Sequence, residues 1–186
     1  PLKLPPDDDL AATDADYAYE MISPAAFTMY VPTKDKLPPN VRSPIPSVCV
    51  RCREGEDDLT SSRGNINIEL CFSAWNPGVY GADIFNPIEG NSTEARRWKG
   101  PEANEHFRRY GGGWRDLWNF VDIALREIER STNIDGIEID RAVPVRYGPL
   151  AEQEAIPDFY PLWFAWVSFT LTYPLIRHNE DIKNLL

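Results

Sequence analysis

From residue 65 to residue 74 the chain alternates without a fault. Ile66, Ile68, Leu70, Phe72 and Ala74 take one side, and Asn65, Asn67, Glu69, Cys71 and Ser73 take the other. These ten residues at period two specify a strand, predicted over 63–75, with one face on a core and one polar face. A second such run occupies 162–173. There Trp163, Ala165, Val167, Phe169, Leu171 and Tyr173 share a side, opposite Ser168, Thr170 and Thr172. Phe164 and Trp166 fall on the polar side, so the first half of this strand is apolar on both faces.

Between these runs the period changes. Over 114–130, Trp114, Leu117, Trp118, Val121, Leu125 and Ile128 recur at helical spacing, with Arg115, Asp122, Arg126, Glu129 and Arg130 on the remaining surface. Asp122 and Arg126 stand at i and i+4, and Arg126 and Arg130 suit the helix C-terminus. One amphipathic helix and several strands predict an α+β fold: a small, mainly antiparallel sheet with one long helix packed on one face.

The remaining elements are read from turn signals. A strand is predicted over 47–53, with Val48, Val50 and Cys52 on one face, and Glu54-Gly55-Glu56-Asp57-Asp58 as the turn of a hairpin into 63–75. A further strand is predicted over 136–147, with Pro144 marking an edge or a bulge. Of the chain's 17 prolines, nine lie in the first 46 residues, which sets that segment apart. Residues 1–46 are expected to form a Pro-rich arm, with 1–16 mobile unless a partner holds them, a short helix near 17–23, and 32–47 extended over a surface. Residues 47–177 form the α+β domain. A long loop insertion at 76–113, with short helices near 93–98 or 102–109, interrupts it, and 178–186 is a C-terminal tail.

Composition removes several classes of function. With 19 basic and 29 acidic residues the formal charge is −10, which repels nucleic acid unless a basic patch overrides it. The one cluster, Arg96-Arg97-Trp98-Lys99 with Arg108 and Arg109, is interspersed with Glu94, Glu102 and Glu105 and reads as a solvated mixed-charge loop. No apolar run reaches the roughly 18 to 20 residues that span a bilayer, so no membrane partner is expected. The first residues show no secretory h-region. Three cysteines argue for a reducing compartment over a disulfide framework.

Catalytic and metal chemistry find little footing. Cys49-Val50-Arg51-Cys52 matches C-x-x-C, but on a strand the two thiols point to opposite faces. Glu54, Glu56, Asp57 and Asp58 lack the spacing of a Ca²⁺ loop. His106 and His178 have no nucleophile motif beside them, and Gly111-Gly112-Gly113 lacks the Lys-Ser/Thr ending of a phosphate loop. No catalytic residue, cofactor or metal ligand is therefore assigned. Trp163, Phe164 and Trp166 admit two readings: a central strand covered on both sides, or a subunit interface, where such aromatics are enriched.

Three blocks, in order, resemble a known family. Pro46 to Asp57 is similar to a "P-x-V-x-V-R-x-x-x-G-E-D" strand and turn. Gly113-Trp114-Arg115-Asp116-Leu117-Trp118-Asn119 is similar to a "G-W-R-D-hydrophobic-x-N" helix start. Pro161-Leu162-Trp163-Phe164 through Thr170-Leu171-Thr172-Tyr173-Pro174-Leu175-Ile176 is similar to a "P-x-W-F … T-x-T-x-P-x-I" strand. Together they resemble the tail-terminator, or tail-completion, proteins of long-tailed bacteriophages.

The resemblance implies a virion structural protein without enzymatic activity, assembled in the host cytoplasm. Its subunits would form a hexameric ring that caps the tail-tube protein and meets the head-tail connector or stopper protein. Genomic DNA would pass through the lumen without specific binding, a role that acidic walls suit. The candidate subunit-interface residues are Trp163, Phe164, Trp166, Trp114, Arg115, Glu56 and Asp57. The alternatives are another neck or head-completion subunit, a small metal-dependent hydrolase using the acidic loops, and an adaptor that binds peptides along a sheet edge.

Overall fold

A computed structural model describes residues 1–7, 20–77, 113–151 and 157–175. The predicted helices at 93–98 and 102–109, the mixed-charge cluster at 96–109, His106, His178 and the C-terminal tail lie outside the described residues. In chain order the strands are β1 (Leu2–Lys3), β2 (Met21–Ile22), β3 (Ala25–Thr28), β4 (Ser47–Asp58) and β5 (Arg63–Trp75). The helix α1 (Trp114–Arg130) follows, then β6 (Asn133–Ile134), β7 (Ile137–Ile139), β8 (Arg146–Pro149) and β9 (Leu162–Pro174). The fold is α+β.

The two alternating runs lie side by side at the centre of a seven-stranded sheet. β5 pairs antiparallel with β9 along its whole length, from Arg63 opposite Pro174 to Trp75 opposite Leu162. β4 flanks β5 antiparallel, with a register shift between Cys52 and Glu54. β3 adds outside β4 in parallel. On the far side of β9 lie β7, β8 and, beyond β7, β6. β1 and β2 form a separate antiparallel pair.

The register puts Ile68, Phe72 and Ala74 of β5 beside Phe169, Ala165 and Trp163 of β9 on one face. The helix covers this face with Leu117, Val121 and Ile128, all buried. Phe72 meets Phe120 edge to face, with ring centroids 4.9 Å apart. Each such side chain, once buried, contributes about 1.5–3 kcal/mol. At the helix C-terminus Arg141 donates to the carbonyls of Ile128 (2.8 Å) and Glu129 (3.2 Å), and also to that of Ser131. Its charge meets the negative end of the helix dipole there.

Several expectations need correction. The acidic stretch from Glu54 to Asp58 is not the hairpin turn; it belongs to β4, and residues 59–62 make the turn. Asp58 explains the shift, because its carboxylate accepts the amides of Thr60 (2.8 Å) and Ser61 (3.3 Å) and starts the turn there. The single strand predicted over 136–147 is two short strands, β7 and β8, separated across Pro144 and docked in turn on β9. Asp135 and Gly136, at φ +52° and +87°, close a β6–β7 hairpin that the reading omitted.

Near the N-terminus, the described end of the helix expected at 17–23 is the strand β2. Residues 1–7, expected to be mobile, are tied down. Leu4 is buried, its amide donates to the Glu20 carbonyl at 2.8 Å, and Asp7 pairs with Lys34. The second face of β5 is not uniformly polar surface either. Glu69, Ser73 and Trp75 on that face are all buried.

Candidate functional site

The residues behind the resemblance meet mostly at one joint, where α1 begins, β5 ends and β9 begins. Asp116 Oδ2 accepts from Asn76 Nδ2 at 2.7 Å and from Lys3 Nζ at 2.7 Å. The Asn76 carbonyl accepts from Trp163 Nε1 at 2.9 Å, and the Asn76 amide donates to the Pro161 carbonyl at 3.0 Å. A Cβ on Gly113 would stand 2.6 Å from Trp163 Cζ2 and 2.8 Å from the Asn76 oxygen, so only glycine fits between them. Gly113, Asp116, Pro161 and Trp163 therefore weld four segments together. They act within one chain.

The predicted interface residues do not form one patch. Trp163 belongs to the joint. Trp114 and Arg115 open the helix, with the guanidinium 5.6 Å from the indole centroid. Trp114 Nε1 is buried and finds no hydrogen-bond partner among the described residues. Phe164 and Trp166 lie on the sheet face away from the helix. Phe164 meets Phe159 edge to face at 5.4 Å, and Trp166 lies over Gly148 and donates to the Pro149 carbonyl at 3.1 Å. Glu56 and Asp57 sit at the opposite end of the sheet, exposed on β4, where Asp57 accepts from the Tyr173 hydroxyl at 3.0 Å. The thirteen residues of β5 put these ends roughly 40 Å apart.

The face away from the helix also resolves the cysteines. Cys49 and Cys52 point to opposite faces, and Cys49 instead stands directly opposite Cys71 on β5. Burial raises both thiols, with Cys71 pushed up to about 11 and the neighbouring Glu69 carboxylate adding to the shift. Glu69 itself is clamped by Arg51 at 3.2 Å and Arg53 at 3.0 Å. Among the described residues no three His, Cys, Asp or Glu side chains converge on a point that could hold a metal ion. None of the described helices is long and apolar enough to cross a membrane.

What the sequence reading missed lies at the ends of the sheet. At the β3 end, Met29, Tyr30 and Val31 are 56%, 71% and 41% exposed. At the other end Ile134, Ile137, Val143, Tyr147 and Leu150 are all exposed large apolar residues. No strand among the described residues pairs with the outer side of β3 or β6. The signal was present in Met29-Tyr30-Val31, an apolar triplet just before proline, but only strand order identifies it as an edge.

Comparisons with protein-family models, with curated proteins and with the solved structures give no match to this chain.

Proposed function

We propose that this chain is a virion structural protein of the tail-terminator kind. In this reading its copies form a hexameric ring that caps the tail tube and joins it to the head-tail connector. The mainly antiparallel sheet and the long helix α1 form the ring body, and the Pro-rich arm supplies contacts to neighbours.

One observation carries the reading. Among the described residues the sheet ends in two edges of different sequence, and both expose large apolar side chains. Contiguous exposed apolar surface marks an association site, and two unlike sites on one subunit permit head-to-tail association, which closes into a ring when the rotation allows. The order of the three resembling blocks adds the bacteriophage context.

Size-exclusion chromatography with light scattering, followed by electron microscopy with purified tail tubes, tests this. The expected result is a closed ring, or a monomer that assembles on tube ends. A monomer that ignores tail tubes and shows divalent-metal-dependent turnover would replace the proposal with the hydrolase reading. Binding to portal or connector rings without tail tubes would move it to another neck subunit.

A further inference from the structure

We infer that residues 1–7 form an ionic strap, a segment that opens and closes over the α+β body as a unit while the body stays folded. Opening changes access to the cavity beneath the segment, and ionic strength sets how often it happens.

The strap lies outside the seven-stranded sheet. Among the described residues β1 pairs with β2 alone, over two positions, with Leu2 opposite Ile22 and Lys3 opposite Met21. The Leu4 amide adds a bond to the Glu20 carbonyl at 2.8 Å. Apolar cover is small: Leu4 is buried, and Leu2 is partly buried against the core. Three ion pairs supply further ties. Lys3 Nζ meets Asp116 Oδ2 at 2.7 Å, Asp7 meets Lys34, and Arg42 grips Glu20, next to β2, through both carboxylate oxygens.

Each tie can let go without harm to the body. The Asp7–Lys34 and Glu20–Arg42 pairs are exposed at both ends, and such pairs are weak and screened by salt. The Lys3–Asp116 pair is partly desolvated and is the least screened of the three. When Lys3 leaves, Asp116 keeps its bond from Asn76 at 2.7 Å and its place at the positive end of α1. The acid is therefore not orphaned, and the joint around Gly113 and Trp163 stays closed. The outer half of the strap is also loosely seated. A cavity of about 390 Å³ is lined by Leu4, Pro6 and Asp7 on the strap and by Lys34, Arg42 and Ser43 on the body. Side chains that border empty space forgo dispersion contacts there. A segment with few buried apolar contacts and salt-sensitive ties is a low-stability unit, and it opens far more often than the sheet unfolds.

Amide hydrogen exchange on the full chain, followed residue by residue by NMR, tests the strap. Raising sodium chloride from about 50 mM to about 1 M should speed exchange at Leu4 and Ile22 together, by the same factor of about ten, while amides of β5 and β9 keep their rates. Lys3→Glu should bring the fast rates at low salt, and Lys3→Arg, which preserves the charge, should keep the native ones. The salt series needs no variant, so it decides the matter even if Lys3→Glu fails to fold. Exchange at Leu4 and Ile22 that ignores salt overturns the ionic strap. So does a response shared with β5 and β9, which would make the segment part of the global unit, and so does a response at Leu4 without Ile22, which would be fraying of single residues.

Discussion

Lys3 reaches across 113 positions of sequence to place its ammonium 2.7 Å from Asp116 Oδ2, the same oxygen that Asn76 holds at 2.7 Å. The ammonium is 13% exposed and the carboxylate 23%, so the pair is partly desolvated. Asp116 also lies in the first turn of α1, where a carboxylate meets the positive end of the helix dipole. Removing the acid takes one partly buried acceptor away from both Lys3 and Asn76. Asp116→Ala should cost about 2–4 kcal/mol in urea unfolding, and Lys3→Met about 1–2 kcal/mol, because the second change leaves the Asn76 bond in place. Equal losses from the two variants would show that the bond to Asn76 carries no weight.

Gly113 is the tightest point of the same joint. Gly113→Ala would drive a methyl group against the Trp163 ring and the Asn76 carbonyl. The ring is itself fixed by its bond to that carbonyl, so neither neighbour can yield cheaply. A loss of about 2–3 kcal/mol is expected, visible as a drop in Tm. Gly136→Ala is the comparison. Its added Cβ meets nothing within 4 Å, and only the left-handed φ of +87° opposes it, so about 1 kcal/mol is expected. A smaller loss at Gly113 than at Gly136 would contradict the packing described.

Which parts of this molecule were legible in sequence follows from the range of the forces involved. α1 was read to the residue because helical spacing is a local signal, repeated here over 17 residues. β5 and the second half of β9 were read because sustained alternation there leaves no rival period, while the aromatic start of β9 was read from its continuity with that run. The acidic end of β4 was misread because a run of Glu and Asp resembles a turn, whereas exposed strand on both faces needs only a paired neighbour, which β5 supplies. The candidate interface failed to gather into one place for a different reason. Trp163 admitted both a covered-strand and an interface reading because aromatics serve either, and its indole is committed to the carbonyl of Asn76, 87 positions away. The edges themselves depend on strand order, which no local pattern encodes.

The cysteines give a prediction with a definite sign. Cys52 is exposed, while Cys49 is buried and Cys71 half-buried on the other face. A disulfide-exchange reagent at pH 8 should therefore label Cys52 quickly and the other two only as the protein unfolds. Cys71 keeps its proton in the folded state up to about 11, against an ordinary value of 9.0. The unfolded chain loses that proton first as the pH rises. The stabilisation is thus complete below pH 9 and disappears as the pH climbs through about 11. Urea midpoints should fall across that window, and Cys71→Ser should flatten part of the fall. An unchanged slope in the variant would assign the alkaline loss to other groups.

The far end of the sheet rests on one ring. Tyr173 lies across Gly64 so closely that a Cβ there would meet its Cζ at 2.5 Å and Asp57 Oδ1 at 2.7 Å. The hydroxyl donates to Asp57 at 3.0 Å, tying β9 over β5 to β4. Beyond this point the β4–β5 hairpin is exposed on both faces of β4, so the ring supplies cover that the glycine lacks. Gly64→Ala forces the ring aside and breaks the tie. It should cost about 1–2 kcal/mol and speed hydrogen exchange selectively at residues 54–58 and 63–67. Tyr173→Phe keeps the ring and loses only the exposed hydroxyl bond, so its cost should stay below about 1 kcal/mol with little change in exchange. If Tyr173→Phe loosened the hairpin as much as Gly64→Ala, the bond to Asp57 and not the covering ring would be holding this end of the sheet.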